Sequence, residues 1–118
     1  MTELIACLST GKGTWMPVVQ LINDQEWDQI FLVCTDFAKQ KFNPTKQVQF
    51  IVIDPRKPPR QIVKDIVMQL GPKVKGTQVA LNLTSGTGNE HMAVLSALLK
   101  LGLGIRLIHI SEHGLEEI

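Results

Sequence analysis

The chain has 118 residues, 44% of them apolar, which suits one domain over 1–118 that buries about two thirds of its unfolded surface. Twelve basic residues against eleven acidic ones leave a formal charge of +1, so attraction to duplex nucleic acid or to an acidic membrane through overall charge is not indicated, and any anion site must be local. No secretory leader is apparent and no apolar stretch approaches the ~20 residues of a membrane span, so the expected location is cytoplasmic.

In chain order, the first apolar run is LIACL (4–8), read as a strand; a glycine-containing loop, STGKGTW (9–15), follows it. Pro17 suits the first turn of a helix whose apolar face is Val18, Val19, Leu21 and Ile22 and which ends near Asn23. IFLVC (30–34) is the second strand, after which Thr35 or Asp36 can cap a short helix through FAKQKF that must end before Pro44. VQFIVID (48–54) is the third strand, and DPRKPPR (54–60) leaves it carrying three cations, either as a solvated loop or as a rim that attracts an anion. Ile62, Val63, Ile66, Val67 and Leu70 have helical spacing between Pro58-Pro59 and Gly71-Pro72. VALNL (79–83) is the fourth strand, the loop TSGTGNE (84–90) follows, and a helix from Asn89 to Leu101 carries Met92, Leu95, Leu98 and Leu99 as its stripe before Gly102, which suits a left-handed cap. IRLIHI (105–110) is the fifth strand, with SEHGLEEI read as a polar tail. Cys7 and Cys34 lie inside apolar runs with no metal-ligand spacing, as reduced core residues; no metal and no cofactor is indicated.

Alternating strands and helices, with strands apolar on consecutive positions, predict an α/β, Rossmann-like three-layer sandwich around a mainly parallel five-stranded sheet ordered 3-2-1-4-5. In that order the winding reverses between the first and fourth strands, and ligands of such sheets bind outside the carboxyl ends of the strands at this switch point. The two loops facing it are the two glycine loops. Each begins with hydroxyl residues, holds two glycines one residue apart and leads into a helix N-terminus, where backbone N–H groups and the helix dipole receive anions. Ser9, Thr10, Gly11, Lys12 and Gly13 on one side, and Thr84, Ser85, Gly86, Thr87 and Gly88 on the other, are the candidate ligand-binding residues. The same hydroxyls also fit ordinary helix capping. Lys12 is the only cation in either loop, Asn89 either meets a base edge or caps the helix, and His91 either reaches a ligand, moves a proton, caps the helix or is merely exposed. Trp15 either stacks on a ligand or packs, Trp27 packs, and His109 is a structural strand residue. GKGT lacks the leading glycine of the GxxxxGK[ST] loop and no GxGxxG follows the first strand, which weighs against an NTPase or a dinucleotide enzyme.

NLTSGTGNEHM after the fourth strand resembles the motif of CARF domains, the Rossmann-like sensors of CRISPR-associated antiviral proteins, and STGKGTW stands where these domains present their other ligand-binding segment. The resemblance implies a homodimer that binds a cyclic oligoadenylate across its two-fold axis, lined by Ser9 to Lys12 and Thr84 to Thr87. In some members it implies metal-independent cleavage by attack of the ligand's own ribose 2′-hydroxyl, for which Lys12, Ser9 and His91 are the candidate catalytic residues. One departure stands out: many members have lysine directly after the motif threonine, where this chain has Gly88. A binding module, a ring nuclease, the sensor portion of a longer effector and a non-catalytic interaction domain without nucleotide are all compatible with these residues.

Overall fold

Aliphatic runs bounded by turn residues pair side by side in this chain. In the computed structural model, which describes residues 2–8 and 11–118 and of Lys12 only the backbone, five strands run parallel: β1 (Glu3–Leu8), β2 (Gln29–Cys34), β3 (Gln49–Val52), β4 (Gln78–Asn82) and β5 (Gly104–Ser111). A sixth, β6 (Gly114–Glu117), runs antiparallel to β5 and completes the order β3-β2-β1-β4-β5-β6. The predicted order is present within it, but the expected five-stranded sheet is corrected to six strands, and the expected polar tail is the second arm of a hairpin. Glu112 and His113 form its two-residue turn, Gly114 takes the positive φ of 101° that lets the chain reverse, and Leu115 packs against the core beside Ile110. His109 is not enclosed: it faces Glu116 across this ladder, with Nε2 3.2 Å from Oε2.

Four helices connect the parallel strands: α1 (Trp15–Asp24), α2 (Asp36–Lys41), α3 (Pro59–Leu70) and α4 (Gly88–Lys100). The first begins two residues earlier than expected, directly after a 3-10 turn over Lys12–Thr14; Pro17 remains within its first turn, where no intrahelical N–H bond is lost. Thr35 caps α2, its Oγ1 accepting from Ala38 N at 3.2 Å. Pro59 occupies the first position of α3, where its fixed φ is already helical. At the end of α4, Gly102 adopts φ +72° and Leu103 N–H bonds back to Leu98 O at 3.1 Å, the expected left-handed cap.

Successive residues of one strand enter different apolar clusters. Ile5 and Cys7 pack with α3 and α4, whereas Leu4, Ala6 and Leu8 pack with α1 and α2, so the sheet buries both faces of its central strands. Burial on both sides explains why β1 reads as a continuous apolar run. The stripe expected for α4 needs correction. Its buried residues are Glu90, Ala93, Val94, Ala97 and Leu98, while Met92 and Leu99 point outward at 58% and 68% exposure. Small alanines let α4 lie close to the sheet and to α3, and the larger side chains flank that contact.

Candidate functional site

β1 and β4 are hydrogen-bonded neighbours and parallel, so the segments that follow them leave the sheet at the same carboxyl edge, where the strand order reverses. The structure brings these segments into contact. Thr14 Oγ1, at the end of the first loop, lies 2.6 Å from Ser85 Oγ in the second, a hydrogen bond between residues 71 positions apart. Ser85 is fully buried, so the second loop folds inward here and does not simply project into solvent.

The loop after β4 is organised from beneath by Asn82, a buried polar residue at the strand's end. Its Nδ2 donates to Thr84 Oγ1 at 3.0 Å and to Ile108 O at 2.9 Å, and its Oδ1 accepts from Thr84 N at 3.2 Å. Gly86 then turns the chain with φ +103°. A Cβ there would stand 3.1 Å from Glu90 Oε1, 3.2 Å from His91 Nε2 and 3.3 Å from Cys7 Cβ, so glycine is required by both the dihedral and the space. Thr87 closes the loop as the N-cap of α4. Its Oγ1 accepts from Glu90 N at 3.2 Å while Glu90 Oε1 accepts from Thr87 N at 2.8 Å, a reciprocal capping box that begins the helix.

These bonds divide the predicted residues. Thr87 serves as a cap, so that alternative is realised for it, and Asn89, an exposed residue in the first turn of α4, is not the cap. Thr84, Gly88 and Asn89 are exposed, and the N–H groups of Gly88 and Asn89 donate to no protein group among the described residues. His91 Nε2 lies 2.8 Å from the Ser85 carbonyl, which can only accept, so this nitrogen carries the hydrogen and is held by the loop. Gly11 and Gly13 are exposed, with open space where a Cβ would stand. Ser9 and Thr10 lie outside the described residues. Trp15 packs edge-on against Phe42, ring centroids 5.5 Å apart at 84°, and Trp27 donates its indole N–H to Leu21 O at 2.9 Å.

Three residues that matter here were not among the candidates: Thr14, Asn82 and Glu90. For Glu90 a signal existed, because Thr87 followed three residues later by a glutamate is the capping-box spacing. Asn82 was visible as the single polar residue interrupting VALNL.

Beneath Gly86 the surroundings are apolar and disfavour a second negative charge. Burial, then the Glu90 carboxylate and then Cys34 push the Cys7 thiol up to about 12. Burial likewise raises Cys34 to about 12. Neither thiol is a nucleophile at neutral pH, and both cysteines are free. In the loop after β3, two of the three cations are engaged locally: Arg56 binds Asp54 through Nε and Nη2, each at 3.0 Å, and Lys57 reaches Asp65 at 3.2 Å. The Arg56 hydrogen bonds hold the Asp54 carboxyl down at about 2. No group of three or more His, Cys, Asp or Glu among the described residues is placed to hold a metal ion, and no helix among them is long and apolar enough to cross a membrane.

The edge can therefore present the exposed Thr84 and two N–H groups at a helix N-terminus to an anionic ligand, with Gly11 and Gly13 exposed in the first loop. The sequence matches no protein-family model and no curated protein at a significant level.

Proposed function

We propose that the protein binds a cyclic oligoadenylate in the cytoplasm as a CARF-type, Rossmann-like three-layer domain, with the ring held between residues 9–15 and 84–91 across a homodimer. The observation that carries this reading is the Thr14–Ser85 hydrogen bond, which ties the two glycine loops together at the switch point of the sheet. A phosphodiester ligand suits the chemistry of that edge: uncommitted N–H groups at Gly88 and Asn89, the Thr84 hydroxyl, and the exposed Gly11 and Gly13, whose missing side chains leave room for close approach. The identity of the ring rests on the resemblance of NLTSGTGNEHM to the CARF motif.

Binding ranks above cleavage because the residues offer no clear general base; the Ser85 carbonyl holds His91 Nε2 as a donor, which fixes the ring without giving it a proton to move. Lys12 supplies the single cation of the two loops, in place of the lysine that Gly88 displaces from the motif.

Calorimetric titration with cyclic tetra-adenylate and cyclic hexa-adenylate, followed by chromatography of the recovered nucleotide, tests the proposal. One ring bound per two chains and returned intact is the expected result. Lys12→Ala should weaken binding about ten- to a hundredfold, the value of a charge-assisted phosphate contact. Failure of the parent protein to bind either ring ends the proposal and leaves a non-catalytic interaction domain; a linear product identifies a ring nuclease instead.

A further inference from the structure

A second surface, which shares no residue with the two glycine loops, lies between α3 and α4. These helices leave a groove of about 740 Å³ whose lining includes Val63, Val67 and Ala93, and over which Met68 and Met92 stand 74% and 58% exposed. Arg60, Lys64 and Lys100 line the same groove, and no acidic residue does. None of these three cations forms an ion pair among the described residues. In a chain of net charge +1, three uncompensated cations around one apolar groove are a local concentration and not a reflection of composition.

We propose that this groove docks an acidic amphipathic helix of another protein chain. A concave trough between two helices fits a third helix, about 10 Å across, better than it fits a flat lipid surface. The apolar floor takes the partner's aliphatic stripe, while the cations meet acidic residues on its flanks and set its orientation. Unbranched methionines adjust to the partner's side chains. A second copy of this chain is the poorer occupant: a two-fold contact centred on the groove sets Arg60, Lys64 and Lys100 against the same three cations. None of the groove residues is among the proposed oligoadenylate contacts, although Met92 follows His91, so each proposal has its own test.

The test uses the full chain labelled at its methionine methyl groups and a synthetic helical peptide of about five turns with leucines at i, i+3, i+4 and i+7 and glutamates beside them. A scrambled peptide of the same composition and a lysine-for-glutamate version serve as comparators. The acidic helix is expected to shift the Met68 and Met92 methyl resonances saturably and to leave that of Met16, exposed on α1, unmoved. Lys64→Glu combined with Lys100→Glu should weaken that binding at least tenfold while leaving the Met16 resonance and the thermal midpoint unchanged. Unmoved Met68 and Met92 resonances, or equal responses to the comparators, overturn the proposal. It is also overturned by light scattering that shows a dimer of the free protein dissociated by Met68→Glu, since the groove then belongs to a second copy.

Discussion

Gly86 and Thr87 are adjacent, yet they hold the second loop by different physics, and substitutions separate the two. At Gly86, alanine must accept φ +103° and a Cβ 3.1 to 3.3 Å from Glu90, His91 and Cys7. Strain of this kind costs about 1–3 kcal/mol, so Gly86→Ala should lower the urea midpoint substantially and move the loop. Thr87→Ala removes one side-chain acceptor from α4 and should cost about 1 kcal/mol, with Thr87→Ser restoring most of it. If Thr87→Ala leaves the urea midpoint unchanged, its hydroxyl does not cap in solution and is available to a ligand. Sequence alone could name Thr87 and Ser85 as hydroxyls beside glycines but could not divide their labour. That division depends on Glu90 reaching back to Thr87 and on Thr14 arriving from a different loop, and the second contact exists only once β1 and β4 are paired.

Among the elements, the sheet order was legible and its outer margin was not. Consecutive apolar residues marked most of β1 to β5 because both faces of the central strands are covered, β5 with Arg106 and His109 being the exception, and the resulting βα alternation leaves few possible windings. β6 escaped notice because an edge strand that contributes one apolar anchor, Leu115, between glycine and glutamates has the composition of a solvated tail. The stripe of α4 was misread for a related reason: large side chains drew attention, whereas the close contact is made by Ala93 and Ala97. At the opposite edge of the sheet, buried Glu3 joins elements far apart in sequence. Its carboxylate accepts from Gly76 N at 2.6 Å, from Lys75 N at 3.1 Å and from Gln29 Nε2 at 2.6 Å. Glu3→Ala leaves those donors without their acceptor and should destabilise the protein by about 1–3 kcal/mol in urea titrations. A loss within a few tenths would mean that water replaces the carboxylate at no cost.

For the whole molecule, the two cysteines make high pH a probe of cooperative unfolding. Cys7 lies in the core on the α3–α4 side of the sheet and Cys34 in the core on the α1–α2 side, and each thiol is pushed up from 9.0 to about 12, chiefly by burial. A raised thiol pKa means that the folded chain keeps its proton over a range where the unfolded chain has released it. The unfolded state then binds fewer protons, so unfolding is favoured as pH rises from about 9 towards 12, and stability contributed by the protonated thiols is intact below 9. Each thiol contributes at most about 1.4 kcal/mol per pH unit in that window. No tyrosine is present to titrate there, but lysines do, so the thiol contribution is isolated by difference. Cys7→Ala combined with Cys34→Ala lowers stability at pH 7 through lost packing, and its urea midpoint should then decline less steeply between pH 9 and 10.5 than that of the parent. In the same parent protein, a thiol-exchange reagent at pH 8 should react only as fast as the protein unfolds, with Cys7 and Cys34 appearing together because the two cores share one sheet. Rapid reaction of either thiol in the native state, or parallel pH profiles for parent and variant, would show that a core opens without global unfolding and that burial does not control these groups.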